Sequence, residues 1–438
     1  MSKLMRSGET QDRNATRSFD TCVTTDRLTS EQLIYEAALL SFCDPPPYQF
    51  QRLLFLSRRE WKRLLYWLDI SGLALYFLNR IAELQRDVVL PPAIGERLRQ
   101  NLADNTERTR SMVAESVSIQ REFQEAGLTY ATVKGFSLCP TSVPRPELRH
   151  QFDLDFLISE ESATEGRRIL ELRGYRLYAI SGKSWEFKMN EKVGGSIDDL
   201  YKDSNGRAVE LHIETDGPDH GMRLKRVVKS EFYGISMPVL SPIDLFLGQG
   251  LHAFKDVCSS FSRTAHLLEF RRHVLARHDD DVFWSELQLA AGSDRRASLG
   301  LGVVVYLIER VMGEFAPAAL TKWTADALPQ SVRLWVDLYG CRTVFGKATG
   351  SKLYLILQQE LESAGLPAKR SLKSSLIPSR LPPAIFQALP NEKLSIRIAR
   401  YRLQLRFILF RLRFHVVEGL RYSWESYRWR RLVGRLAR

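Results

Sequence analysis

The sequence predicts an α+β fold, a small mixed-sheet core flanked by N-terminal and C-terminal helical regions. Three observations predict it. Residues 128–240 carry short β-branched and aromatic runs between turns, and residues 27–127 and 241–370 carry apolar residues at helical spacing. The whole, at 438 residues with 44% hydrophobic and 26% charged, is long enough for two or three globular units with a sizeable core.

In chain order, Met1 to Asp26 is polar without a long apolar run and reads as a disordered lead-in (1–26), not a signal peptide. In the N-terminal helical region (27–127), Thr29 or Ser30 can cap a helix carrying Leu33, Ala37 and Leu40. Pro45, Pro46 and Pro47 break the chain before one or two buried helices around Trp61 to Leu78. Pro91 and Pro92 break it again before a helix over Ile94 to Asn105. A polar helix with Met112, Val113, Val117 and Phe123 then ends at Gly127, placed as a C-terminal glycine cap.

The core (128–240) opens with Leu128 to Val133, β-branched and aromatic as strands are. Phe152 to Ile158 reads as a second strand, Glu160 to Leu172 as a helix ended by Gly174, and Trp185 to Met189 and Ala208 to Glu214 as further strands. From Pro242 a C-terminal helical domain (241–370) follows. A Pro- and Ser-rich linker then leads to a basic aromatic tail (together 371–438).

No stretch reaches the roughly 20 apolar residues of a spanning helix; Tyr66 to Leu78 is short and interrupted by Asp69. The five scattered cysteines form no C-x-x-C pair, which points to neither a zinc site nor a disulfide framework and fits a reducing cytoplasm. P-loop, H-E-x-x-H, G-x-S-x-G and complete G-x-G-x-x-G patterns are absent, which lowers NTPase, metalloprotease, hydrolase and Rossmann readings.

The chemistry-bearing feature is acidic. Residues two apart in a strand share a face, roughly 6.6–6.8 Å apart. Asp153 and Asp155 therefore share one face while Phe152, Leu154, Phe156 and Ile158 share the other. Glu210, His212 and Glu214 likewise alternate with Val209, Leu211 and Ile213. If the two strands are neighbours, acids converge on one side of a sheet whose reverse is buried. Close carboxylates repel and call for a counter-charge, and Mg²⁺, or alternatively Mn²⁺, is the hard ion that oxygen ligands and substrate phosphates hold together. A lone D-x-D often marks a solvated loop; alternation with Phe and Leu removes that reading but permits an exposed strand face. The adjacent Asp198-Asp199 pair would point opposite ways in a strand and carries little weight.

After the first strand, Lys134 offers a point charge and Gly135 close backbone approach to a phosphate, while Arg149 offers a bidentate contact. A surface lysine beside a turn glycine is the simpler account of the first two.

Taken together, Gly127-Leu128…Lys134-Gly135…Arg149-x-x-x-Asp153-x-Asp155…Val209-Glu210-Leu211-His212 resembles the bacterial family of uncharacterised nucleotidyltransferases within the polymerase-β-like superfamily. Its usual form is a strand ending in Lys-Gly, an Arg before a D-x-D strand, and a later Asp-Leu-His strand. Glu60-Trp61, and Ser241-Pro242-x-Asp244-Leu245 followed by His252, Lys255, Arg263 and Leu268-Glu269, are similar to its flanks, so the likeness spans about Leu33 to Leu275. Glu210 departs from the usual Asp, with a longer reach, and Lys134-Gly135 stands where the wider superfamily has Gly-Ser; Ser137 is a candidate for the missing hydroxyl.

The resemblance implies metal-dependent transfer of an NMP from an NTP to a hydroxyl (or phosphate) acceptor with release of pyrophosphate. Asp153, Asp155 and Glu210 would be catalytic and metal-binding, and Lys134, Gly135, Ser137, Arg149 and His212 would lie at the nucleotide. The acceptor, whether peptide, protein, small molecule or RNA, is left open. His212 is equally readable as a packed core histidine. His252 and Lys255, three apart on a helix, read as a solvated face in preference to a cleft lining. A metal-dependent glycosyltransferase also uses D-x-D but needs alternating β-α structure before it. A catalytically silent binding or regulatory protein of the same shape is the third alternative.

Charge adds one partner. Of the net +12, residues 391–438 hold 12 Arg and one Lys against three Glu, a surplus of ten. Arg interleaved with Ile, Leu, Phe and Trp fits both strand and helix spacing, and suits an anionic partner such as lipid, nucleic acid or acidic protein as well as packing on the body.

Overall fold

The computed structural model of the chain describes residues 28–84, 90–189, 199–203, 207–215, 223–260, 263–346, 350–367, 371–377 and 394–436. The polar lead-in, Asp198 and most of the linker lie outside the described residues.

Local signals set the N-terminal helices. Helix α1 (Ser30–Leu40) starts at a reciprocal cap between Thr29 and Gln32, and α2 (Arg58–Ser71) at one between Ser57 and Glu60. Gly72, at φ +79°, ends α2, and α3 (Ala74–Leu84) follows. Helix α4 (Pro92–Glu125) begins with Pro at its first turn and is followed by Gly127 at φ +67°. It is one helix of 34 residues where the sequence suggested two. The reason is a change of partner along its length. Leu98 and Leu102 pack with the helical core, whereas Met112, Ile119 and Phe123 pack under the sheet.

Among the described residues the sheet holds seven strands: β1 (Tyr130–Thr132), β2 (Asp153–Ser159), β3 (Arg176–Ser181), β4 (Ser184–Lys188), β5 (Ala208–Glu214), β6 (Val228–Phe232) and β7 (Ile235–Val239), in the order β3-β4-β5-β2-β1-β7-β6. β2 is parallel to β5 and antiparallel to β1, and β1 is parallel to β7, so the sheet is mixed. Helix α5 (Glu160–Leu172) lies with α4 against the face formed by Leu154, Phe156, Ile158, Val209 and Leu211. Strand β3 and the β6–β7 hairpin escaped the sequence reading. β3 is an exposed edge with little apolar alternation, and the hairpin turns on Tyr233-Gly234, both at positive φ, where Tyr is an uncommon first residue.

Beyond the sheet run α6 (Pro242–Val257), α7 (Thr264–Ala276), α8 (Asp281–Ala291), α9 (Arg295–Met312), short α10 (Ala318–Thr321), α11 (Gln330–Trp335) and α12 (Cys341–Val344), α13 (Tyr354–Ser363), α14 (Leu372–Leu376) and the long α15 (Leu394–Leu436). These share one apolar core with α1, α2 and α3, through Trp67, Tyr76, Phe246, Phe270, Trp284 and Trp335. Cys43 and Cys139 are free thiols.

A buried charge cluster ties helices to sheet. Tyr76 of α3 donates to Glu269 of α7 at 2.9 Å, and Arg149, just before β2, donates to the same Oε1 at 3.0 Å. Arg149 and Glu269 side chains are 11% and 2% exposed, so either alone would be a buried uncompensated charge. Replacing Glu269 with Ala should cost about 3–5 kcal/mol in urea unfolding. Pairing Glu269→Leu with Arg149→Met should recover much of that; a single-variant cost below about 1 kcal/mol would show that the pair does not hold β2 in place.

Candidate active site

Period-two alternation decides which side chains meet. β2 and β5 pair in parallel with Asp155 opposite Glu210 and Asp153 opposite Ala208. Because Leu154, Phe156, Val209 and Leu211 are buried against α4 and α5, Asp153, Asp155, Glu210 and His212 must face the other way. His212 Nε2 lies 2.8 Å from Asp155 Oδ1 and 3.4 Å from Glu210 Oε2. Ligand atoms of Asp155, Glu210 and His212 all fall within 4.8 Å of one another. Asp153, two residues earlier on the same face, stands beside that trio, not in it. Glu214 is used elsewhere: its carboxylate accepts from Arg223 Nε and from the backbone N–H groups of Arg223 and Leu224.

Lys134 enters from the end of β1. Its Nζ donates to Asp155 Oδ1 at 2.6 Å and lies 3.3 Å from His212 Nε2 and 4.0 Å from Glu210 Oε2. The ammonium thus stands between the two carboxylates, where a cation is electrostatically favoured. Burial would push it down, but Asp155, Asp153 and Glu210 raise it above the ordinary lysine range. The backbone that delivers it is unusual: Lys134 sits at φ +57° and Gly135 at φ +41°. For a non-glycine residue such a conformation costs about 1–3 kcal/mol. The positive φ of Gly135 favours glycine there, and a Cβ would also come within 2.8 Å of Gln151 Oε1, which would have to shift. Ser137 closes this turn, its hydroxyl donating to the Lys134 carbonyl at 2.7 Å.

Arg149 is held by Glu269 and also donates to Gln151 Oε1 at 3.3 Å, so its guanidinium is engaged within the protein and not presented as an open fork. Its charge still acts on Asp153. A small cleft is lined by Thr132, Gly135, Gln151, Asp153 and Asp155.

The two aspartates differ sharply. Burial raises Asp155, yet the His212 hydrogen bond and Lys134 bring its carboxyl below the usual range. Asp153 has no such partner; burial, then Asp155 and Glu210, push it up to about 6 in spite of Lys134 and Arg149. The site therefore holds more negative charge than its own cations balance.

Around this centre sequence reasoning named His252, Arg263 and Glu269 without their partners, and did not name His150, Asp256 or His266. His252 does not sit on a solvated face: its ring meets that of His266 at 4.6 Å, and His266 Nδ1 lies 2.6 Å from Asp256. Burial, followed by His266 for His252 and by Arg263 for His266, pushes both imidazoles down to about 3. Lys255 is exposed as expected. Arg263 donates to His150 Nε2 at 2.8 Å and to the His150 carbonyl at 3.0 Å. The available signals were Asp256, four residues after His252, and Glu269, an acid set between the apolar pair Leu267-Leu268 and Phe270.

With this geometry in view, a family model for uncharacterised nucleotidyltransferases matches residues 57–313, more than half of the chain. The chain belongs to that family. The matched span includes all of the acidic face, Lys134 and the α6–α7 pair, and leaves out α15. Among solved structures, an antigenic nucleotidyltransferase-like protein from Paracoccidioides brasiliensis is 13% identical, covering 49% of this chain and 97% of that one, with a TM-score of 0.28, too slight a likeness to carry an argument. No curated protein matches.

The charge imbalance of this nucleotidyltransferase-family site has a measurable sign. With Asp153 raised from 3.8 to about 6, the native state binds more protons than the unfolded chain in that window, so metal-free stability should fall as pH rises through it. Mg²⁺ or Mn²⁺ would favour the ionised form, so its thermal shift should be larger at pH 7 than at pH 5 and shrink in Asp153→Asn. Equal shifts at both pH values, or in the variant, would contradict the assignment.

Proposed function

We propose that this chain transfers a nucleoside monophosphate from an NTP to an acceptor hydroxyl or phosphate, with pyrophosphate leaving. The observation that carries the reading is the placement of Asp155 opposite Glu210 on parallel strands, with a lysine ammonium lodged between them. The donor set suits a hard divalent ion: two converging carboxylates, a third at Asp153 whose ionisation is resisted by burial and by the neighbouring acids, and one imidazole, which Mn²⁺ accepts more readily than Mg²⁺. When bound, such an ion supplies charge stabilisation at the phosphoryl oxygens.

The protein's own groups would divide the remaining work. Asp155 and Glu210 hold the cation, with Asp153 completing the carboxylate face. Lys134, exchanged out of its pairing with Asp155, offers its ammonium to phosphate oxygens, and the strained Lys134-Gly135 turn fixes where that ammonium starts. Glu210, with its side chain 27% exposed, is placed to take the acceptor's proton as the acceptor oxygen bonds to the α-phosphorus and the bond to the pyrophosphate oxygen breaks. Arg149 acts on Asp153 by its charge and positions β2 through Glu269. Residues before β1 form α1 to α4 with no alternating strands among those described, which disfavours the glycosyltransferase alternative.

Incubation with α-labelled NTPs, Mg²⁺ or Mn²⁺ and cell extract should label an acceptor and release pyrophosphate. Several kcal/mol of charge stabilisation is at stake, so Asp153→Asn or Asp155→Asn should slow labelling roughly 10²–10³-fold. Labelling at an unchanged rate in both variants, or UDP-sugar turnover without pyrophosphate, would refute the proposal.

A further inference from the structure

The basic tail is a single helix, which settles the strand-or-helix ambiguity of its sequence, and its two halves differ. From Glu418 onward α15 is docked. Glu418 accepts from the Lys352 backbone, Tyr422 donates to Gln359 at 3.1 Å, Tyr339 donates to Glu425 at 3.0 Å, and Trp429 donates to Glu360 at 2.7 Å. Tyr422 and Trp429 are each only 4% exposed. The half before Glu418 touches the body near its end, where Lys352 stands over the Phe414 ring at 5.9 Å, and is otherwise mostly exposed. There Ile398, Tyr401, Leu405, Leu409, Leu412 and Val416 recur at steps of three and four, and each is 44–60% exposed. At 100° per residue they fall within one narrow arc. Arg402, Arg406 and Arg413 border that arc on one side and Arg397 on the other, all exposed. Residues 394–417 contain six arginines and no Asp or Glu. Tyr427, 58% exposed, continues the same side, and Trp424, 64% exposed, continues the border that carries Arg402, Arg406 and Arg413.

Two properties must be met at once, the apolar arc and the row of guanidinium groups that borders it in a segment without a carboxylate. A second copy of the helix would cover the stripe but set arginine against arginine without a carboxylate between them. A nucleic acid would meet the arginines but leave the aliphatic stripe in water. An anionic bilayer meets both, taking the apolar side chains below the headgroups and the arginines at the phosphates, with exposed Trp and Tyr at the depth they prefer. The helix does not cross, since no helix among the described residues is long and apolar enough to span a membrane.

We infer that the 394–417 half of α15 lies in the plane of an anionic phospholipid surface and seats the nucleotidyltransferase-family body on it. The test is co-sedimentation of the full chain with vesicles of phosphatidylcholine alone or mixed equally with phosphatidylglycerol. Binding to the anionic vesicles should exceed neutral binding by about tenfold or more and weaken in high salt. Leu405→Glu with Leu412→Glu should lower anionic binding by about tenfold, and Arg402→Gln, Arg406→Gln and Arg413→Gln together should remove the anionic preference. These positions are exposed, so melting of the body, followed by circular dichroism, should not change. Absence of vesicle binding, equal binding to both compositions, a solution dimer that depends on Leu405 and Leu412, or RNA binding in place of vesicle binding would each overturn the inference.

Discussion

The parallel pairing of β2 with β5 is the constraint from which the candidate site follows. One face of each strand is committed to the core against α4 and α5, and the strand period of two leaves no choice about the other. A slip of one residue would bury Asp155 and Glu210 against Phe123 and expose Phe156 and Leu211. The apolar cost of that slip protects the acidic register. The chemistry on one side is thus specified by the packing on the reverse.

Electrostatics then sorts the groups that packing has gathered. Asp155 is satisfied by His212 and Lys134, whereas Asp153 is left with a carboxyl that resists ionisation. Such inequality between neighbouring acids is common where a site awaits a further positive charge. The lysine that fills the gap is delivered by a backbone no ordinary strand end would adopt, and strain of that kind persists only where the surroundings enforce it. Here Ser137, Gly135 and Gln151 enforce it. The Arg149–Glu269–Tyr76 cluster performs the corresponding task at the entrance of β2, joining α3 and α7 to the strand that carries both aspartates.

How much of this could be read from residues alone follows from how local each signal is. β2, α5 and β5 were legible because their alternation, cap and terminating glycine lie within a dozen residues. The trio of acids was legible in part: Asp153, Asp155 and Glu210 do share a face, but the tight cluster admits His212 and sets Asp153 at its margin. Helix α4 was read as two helices because its stripe answers to two cores. Arg149 was read as an open phosphate contact because its partner lies 120 residues away in sequence. His252 was read as solvated because its partner His266 belongs to another helix. The long tail was undecided because Arg and apolar residues fit both periods; the docking of Tyr422 and Trp429, invisible in the sequence, goes with the helix.

The central claim is that Asp155 and Glu210 together hold a divalent cation at the NTP. Crystals soaked with Mn²⁺ and a non-hydrolysable NTP test it most directly through the anomalous signal of the metal. The account predicts a peak about 2.0–2.4 Å from carboxylate oxygens of both residues, with Lys134 withdrawn from Asp155. A fully bound nucleotide with no metal between β2 and β5, or metal found only at His252, Asp256 and His266, would contradict it.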